Sequence, residues 1–128
     1  MKNEIFIRLS IFDANNDNVT SLLNMQPTKN VQKGDLITKK GTRVYKYNIW
    51  SYEIILNNLE HIEVAFEKII ELFKHKKNEL ISLGKEYDLE ISVSGYLKDG
   101  MPSIHFTHDS IDFIHAINAE VDIDIYAQ

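Results

Sequence analysis

The chain has 128 residues and a net charge of -5, and its 44% hydrophobic and 26% charged residues are typical of one globular domain. No apolar run is long enough to span a bilayer and no signal-peptide core follows the first residues, so a cytoplasmic protein without a membrane partner is expected. The lack of cysteine excludes disulfides, thiol catalysis and thiolate metal sites.

The chain begins with a predicted strand and a short helix. Apolar residues alternate along the strand and define one strongly buried face, made of Ile5, Ile7, Leu9 and Ile11. The helix is predicted over residues 19–25 and ends before Pro27, because the residue before a proline avoids helical geometry. A loop is expected from there to about Thr42.

Residues 43–56 are rich in Tyr, Ile and Trp, which favours an extended segment. Alternation along it would place Tyr45 and Tyr47 on one face and Trp50 and Tyr52 on the other. One face is then expected in the core. An exposed tyrosine pair beside basic residues would have the composition of a protein-binding hot spot, whereas aromatic residues covered by a helix would only fill the core.

The middle of the chain predicts a long amphipathic helix. Apolar residues recur there at helical spacing, at Ile62, Ala65, Phe66, Ile69, Ile70, Leu72 and Phe73. The polar run at residues 75–78 is expected to interrupt this helix. The apolar residues before Gly84 predict a second short helix up to that glycine, or a continuation of the first helix. Residues 89–94 alternate as a strand, and a turn at residues 98–100 predicts a returning strand over residues 103–107.

The last part of the chain predicts a helix over residues 110–118 and a strand over residues 120–126. The helix is expected to point Ile111, Ile114 and Ile117 inward. The strand divides into an apolar face and an acidic face, made of Val121, Ile123 and Ile125 and of Glu120, Asp122, Asp124 and Tyr126.

Both halves of the chain therefore predict a strand, a helix and a strand, which suggests a weak internal duplication. The expected fold class is α+β, in one domain over residues 1–128. We expect a two-layer sandwich, in which an antiparallel or mixed sheet is covered by helices on one face.

Several sequence features occur in a recognisable order. They are Leu-x-x-x-Pro at residues 23–27, Lys33-Gly34-Asp35, Gly41, Trp50 within a strand, the central amphipathic helix, and Asp122-Ile123-Asp124-Ile125-Tyr126. Together they resemble, over nearly the whole chain, the bacterial domain of unknown function family 4279 (DUF4279). The resemblance implies a small bacterial cytosolic α+β protein and brings no established reaction or catalytic residue. Some small bacterial domains of this type act as immunity proteins beside toxins, which is an analogy.

Charge is divided unevenly along the chain. Residues 1–50 hold eight Lys and Arg against four Asp and Glu, whereas residues 51–128 hold six against fifteen, so a two-sided molecule is expected. Six cations surround Asp35 in one segment, namely Lys29, Lys33, Lys39, Lys40, Arg43 and Lys46. This segment is either a solvated loop or a surface for an acidic partner. Nucleic acid is not expected, because the pI is about 5.5 and no phosphate-binding glycine loop or recognition helix is present.

Two clusters of possible ligands lie in the last quarter of the chain. His108, Asp112 and His115 share one face of the predicted helix, with His105 before it, and imidazole and carboxylate suit zinc, nickel or iron. That face is also the polar back of the helix, so solvated side chains are the simpler interpretation and no metal is assigned. The acidic face of the last strand would meet the basic segment, solvent, or a cationic protein partner.

The sequence contains no Gly-x-Ser-x-Gly, Walker loop, dinucleotide glycine fingerprint or His-Glu-x-x-His motif. The function expected is therefore a non-enzymatic protein-binding module, immunity- or antitoxin-like, that occludes a toxin-like partner as a monomer or homodimer and needs no cofactor. The alternative is a protein that binds a small anionic ligand in a pocket between sheet and helices. Trp50 is interpreted chiefly as a core anchor. The candidate binding residues are Lys33, Asp35, Lys39, Lys40, Arg43, Tyr45, Tyr47 and Trp50.

Overall fold

A computed structural model of the protein describes residues 4–57, 61–98 and 104–127. Its elements, in chain order, are β1 (Glu4–Phe12), α1 (Asn16–Leu23), β2 (Lys29–Val31), β3 (Ile49–Asn57), α2 (Ile62–Phe73), a 3-10 turn (Lys74–Lys76), α3 (Lys77–Glu86), β4 (Asp88–Leu97), α4 (His108–Ala116) and β5 (Ala119–Ala127). No helix among these residues is long and apolar enough to cross a bilayer.

The five strands form one mixed sheet in the order β2-β3-β1-β4-β5. All neighbouring pairs are antiparallel except β4 and β5, which run parallel because α4 connects them as a crossover. The predicted α+β class with a mixed sheet is confirmed. The order strand, helix, strand recurs in both halves, but β1 and β3 pair antiparallel where β4 and β5 pair parallel.

The core lies between the sheet and the helices. The four alternating residues of β1 are at most 1% exposed and pack with the apolar faces of the helices, which include Phe66 and Ile69 of α2. Helix α2 lies against β1, α1 against β3, α3 against β4 and α4 against β5. Each large apolar side chain fully buried in this layer contributes about 1.5–3 kcal/mol. The face of the sheet opposite the helices is called the open face below.

The extended segment predicted over residues 43–56 is shorter in the structure. Strand β3 begins at Ile49, and residues 43–48 lie outside any strand apart from an isolated bridge between Val44 and Leu36. The loop expected to reach Thr42 also contains a strand, β2, which pairs with the start of β3. Three residues are too few to produce a recognisable alternation, so β2 leaves no clear pattern in the sequence.

The second half of the fold departs from the predictions in three places. Helix α3 continues through Gly84 to Glu86, although glycine was expected to follow its end. Residues 104–107 form no strand, so the return of the predicted hairpin is wrong there, while Asp99, Gly100 and residues 101–103 lie outside the described residues. Strand β4 pairs instead with β1 and with β5. In α4 the inward position expected for Ile111 is wrong, since this side chain is 52% exposed and Phe113 is buried in its place.

Candidate functional site

The basic segment between β2 and β3, residues 32–48, is an ordered loop that we call the arm. Its two sides are joined by backbone hydrogen bonds from Gly34 to Tyr45 (2.9 Å), from Tyr45 to Asp35 (2.9 Å) and from Ile37 to Arg43 (3.0 Å). Gly34 has φ of +95°, a conformation that glycine adopts without strain. The arm is therefore a hairpin-like projection with a defined backbone.

Asn48 fixes the base of the arm to the turn after β1. Its side-chain oxygen accepts from the backbone N–H of Lys33 (2.8 Å), and its side-chain nitrogen donates to the carbonyl of Ala14 (2.8 Å). The carboxylate of Asp35 accepts from the backbone N–H of Gln32 (2.8 Å), which closes the first turn. Asp35 therefore has a structural partner within the arm, and the sequence pattern alone did not indicate it.

Four large apolar side chains project from the arm into solvent. Their exposed fractions are 55% for Leu36, 41% for Ile37, 46% for Val44 and 54% for Tyr47. An open groove of about 600 Å³ runs along them, and Ile37, Val44 and Tyr47 are among its lining residues. Sequence reasoning missed Leu36, Ile37 and Val44. The signal for them was the presence of isolated apolar residues in a lysine-rich loop.

Seven of the eight predicted binding residues lie on the arm, and the structure brings them together. Lys33, Asp35, Lys39, Lys40, Arg43 and Tyr47 are exposed, and Tyr45 is partly buried. The Nζ atom of Lys29 lies 5.5 Å from the centre of the Tyr45 ring, a cation–π arrangement at the foot of the arm. Tyr45 and Tyr47 do not share a strand face, because residues 45–47 lie outside β3.

Trp50 is the exception among the predicted binding residues. It lies on the helix side of β3 with no exposed surface, and its Nε1 donates to Oγ1 of Thr20 at 3.0 Å. The ring therefore offers no surface to a partner or to a water-filled pocket between sheet and helices. Its partner on the same face, Tyr52, packs edge-on against Phe73 with ring centres 5.8 Å apart.

The open face of the sheet carries a gradient of charge. One row across all five strands contains, in order, Lys29, Ser51, Ser10, Glu90 and Glu120. The two serine hydroxyls share a buried hydrogen bond of 2.9 Å, and the next row contains Arg8 Nε at 3.7 Å from a carboxylate oxygen of Glu53. The basic edge near the arm and the acidic edge at β5 are therefore at opposite ends of the sheet. The prediction that Glu120, Asp122, Asp124 and Tyr126 share one face of β5 is confirmed.

The acidic edge contributes to a raised pKa of Glu90. Burial raises the pKa of Glu90 above its usual 4.5, and the nearby carboxylates of Asp122 and Glu120 raise it further, against a smaller lowering by Arg8. Since the folded protein disfavours the ionised form, Glu90 lowers the free energy of unfolding at pH values above its folded pKa. This destabilisation disappears as the pH falls to the ordinary value of 4.5.

Glu90→Gln is therefore expected to raise the free energy of unfolding at pH 7 by about 0.2–1 kcal/mol, because it removes a partly buried carboxylate that lies beside Asp122 and opposite Glu120. At pH 4 the gain is expected to vanish. Urea denaturation at both pH values measures the difference. Glu67→Gln, on the exposed side of α2, is the matched control and is expected to change little at either pH. If Glu90→Gln raised the free energy of unfolding equally at the two pH values, the effect would not originate from the ionised carboxylate of Glu90.

The histidines of the last quarter of the chain are not gathered into a metal site in the described residues. His105, His108 and His115 are exposed around α4, as is Asp112. No group of three or more His, Cys, Asp or Glu side chains among the described residues has an arrangement that could hold a metal ion.

Comparison with known proteins assigns the chain to a family. The sequence profile of a domain of unknown function, DUF4279, matches residues 3–128. The chain belongs to this family. The resemblance drawn from the Leu-x-x-x-Pro, Lys-Gly-Asp and Trp features is thereby confirmed for nearly the whole chain. No curated protein and no solved structure matches it.

Proposed function

We propose that this DUF4279 protein is a non-enzymatic protein-binding module, of the immunity- or antitoxin-like kind, whose arm docks onto an acidic surface of a partner protein. The observation that carries the proposal is the exposure of four large apolar side chains on an ordered and strongly basic loop. Exposed apolar groups that are clustered, and rimmed by polar ones, are typical of interaction sites.

The composition of the arm supports a protein partner. Its apolar centre includes Tyr47 and the groove beside Arg43, and tyrosine and arginine are the residue types most often found at interface hot spots. The hydrogen bonds along the arm fix the backbone that carries these side chains before binding. A preorganised loop loses less conformational entropy on association than a flexible one, which favours affinity.

The charge of the arm supports an acidic partner. Five cations of the arm are exposed, namely Lys33, Lys39, Lys40, Arg43 and Lys46. The one acid within the arm, Asp35, already accepts a backbone hydrogen bond. A positive rim of this kind steers an acidic surface into contact and gives binding that weakens as the salt concentration rises. A partner occluded by this rim would present carboxylates around an apolar patch.

Site-specific crosslinking in the cell of origin tests the proposal. A photo-crosslinking amino acid in place of Tyr47 is expected to give one discrete protein adduct, which mass spectrometry then identifies. The same amino acid in place of Ser82, which is exposed on α3, is expected to give none. No adduct at Tyr47, or the same adducts from both positions, would contradict the proposal.

Charge reversal in the arm then measures its share of the affinity for the identified partner. The variant Lys39→Glu, Lys40→Glu, Arg43→Glu is expected to weaken binding at least about tenfold, because three favourable charge contacts become unfavourable. The control Lys68→Glu, Lys77→Glu, Lys85→Glu makes the same change in net charge on the helices. Equal losses for the two variants would show that only net charge matters and would contradict a docking role for the arm.

A further inference from the structure

The sheet ends at β5, at the opposite edge from the arm. This strand has nine residues and, within the described parts of the chain, pairs only with β4. Its outer side therefore presents backbone N–H and C=O groups that are available for pairing. Such an edge is a template for another strand unless the fold covers or blunts it.

An apolar groove lies beside β5 on the helix side of the sheet. Its volume is about 340 Å³. Its walls are Ile111 and Ile114 of α4, Val121 and Ile123 of β5, and Phe106 just before α4. Ile111 is 52% exposed and Val121 is 39% exposed, although the amphipathic pattern of α4 predicted an inward Ile111. The groove is thus an apolar surface next to an unpaired strand edge.

On the opposite side of the same strand, the side chains are acidic. Glu120, Asp122 and Asp124 project from β5 on the open face and are all exposed. Burial, followed by the charges of Asp122 and Glu120, raises the pKa of Glu90 on the neighbouring strand, as expected beside a row of carboxylates. A strand added to this edge would therefore meet apolar groups on one face and carboxylates on the other.

We infer that the β5 edge accepts an extended segment of a partner protein in which Lys or Arg alternates with apolar residues. The backbone of this segment pairs with β5, its apolar side chains enter the groove beside Ile111, and its cations lie against Asp122 and Asp124. Main-chain bonds give such strand additions their affinity and the alternating side chains give their specificity. This inference does not depend on the function proposed for the arm, because the groove beside β5 and the groove along the arm share no lining residue.

A second copy of the chain fits this edge poorly. Antiparallel pairing of two β5 strands about a two-fold axis would bring the carboxylates of Asp122 and Asp124 opposite like charges, which is destabilising in a sheet. The occupant that the charges favour is thus a basic segment. Pairing between two copies of the chain is a separate outcome, which sedimentation of the protein alone detects.

Synthetic peptides of nine residues, the length of β5, test the inference on the full chain. A peptide that alternates Lys and Val is expected to bind, as measured by fluorescence polarisation. Two controls are expected not to bind: a peptide with the same composition in separate blocks of Lys and Val, and one that alternates Glu and Val. Amide hydrogen exchange is expected to slow along β5 when the first peptide is added. Equal binding of the block peptide, or binding without protection of β5, would overturn strand addition.

Two double variants test the charge contacts that the inference requires. Asp122→Lys with Asp124→Lys is expected to weaken binding of the alternating peptide by about tenfold, through two surface charge pairs. Glu67→Lys with Glu86→Lys makes the same charge change on exposed helix positions and is expected to alter binding less than about twofold. Equal effects would overturn the inference.

Ile111→Ser tests the apolar wall and is expected to weaken binding while the free energy of unfolding changes little, because this side chain is half exposed. Unchanged binding by Ile111→Ser would overturn the inference, because the apolar side chains of the segment would then not enter the groove. In sedimentation, the protein alone is expected to show no self-association through the β5 edge, which is the kind of association that the double variant Asp122→Lys, Asp124→Lys would abolish. Such association would mean that a second copy occupies the edge and would overturn the inference.

Discussion

Trp50→Ala is expected to lower the free energy of unfolding by about 3–5 kcal/mol, the usual cost of removing a large buried ring. Trp50 has no exposed surface and stands in β3, opposite Ile11 of β1 on one side and Asn30 of β2 on the other. Its loss would leave a cavity and would also leave the Thr20 hydroxyl without the indole donor 3.0 Å away. Urea denaturation followed by circular dichroism measures the change.

Two matched variants show which property of Trp50 is responsible. Tyr47→Ala removes an aromatic ring from the same stretch of sequence, but the ring is half exposed, so a loss of no more than about 0.5 kcal/mol is expected. Trp50→Phe keeps most of the ring and removes the N–H donor, and an intermediate loss is expected. Equal losses for Trp50→Ala and Tyr47→Ala would contradict the assignment of Trp50 to the core and of Tyr47 to the surface.

The parts of the fold that could be predicted from the sequence are those with a repeating pattern. Alternation identified the buried face of β1 and separated the apolar from the acidic face of β5, because side chains on a strand point to opposite sides with a period of two. The spacing of apolar residues likewise gave the bounds of α2 at Ile62 and Phe73. Trp50 and Tyr52 were placed on one face by the same argument, and they do share it.

The pairing of strands could not be predicted in this way. A turn at residues 98–100 favoured a hairpin partner for β4, but β4 pairs with β1 from the other end of the chain and with β5 across a helix. Local sequence specifies that a segment is extended and seldom specifies its partner, since pairing depends on long-range packing. Ile111 is a second example, because helical spacing identifies the apolar face of a helix but not which part of that face the neighbouring elements cover.

The sequence predicted which charged and aromatic residues form the candidate site, but it did not predict how the arm arranges them. The lysines, Arg43 and Tyr47 were expected to form a surface, and they lie together on the arm. The apolar centre of the arm depends on an isolated β-bridge that brings Leu36 and Val44 together. The sequence around either residue does not predict this bridge. The charge separation between the two halves of the chain became a separation between the two edges of one sheet. Tyr47 of the arm nevertheless lines one cavity with Glu90 and Glu120, so the arm reaches toward the acidic edge across the open face.

Gly84→Ala is expected to destabilise the protein by about 1–3 kcal/mol, the typical cost of forcing extra volume into a packed contact. In an unconstrained helix the same change would stabilise by about 0.5–1 kcal/mol. Gly84 lies in α3 where the end of α4 approaches most closely. A Cβ atom there would overlap the carbonyl oxygen of Ile117 and lie 3.0 Å from its carbonyl carbon, and both atoms belong to backbone that cannot rotate away.

The cost should arise from the contact between α3 and the end of α4. Asn118 has φ of 58° after the last turn of α4, and its side-chain nitrogen donates to the carbonyl of Gly84 at 3.0 Å. Ser82→Ala introduces alanine on the exposed side of the same helix and is expected to be neutral or to stabilise by up to about 0.5 kcal/mol. Thermal unfolding compares the two variants. A rise in stability for both Gly84→Ala and Ser82→Ala would show that α3 and α4 can separate without cost. The close approach at Gly84 would then not contribute to the fold.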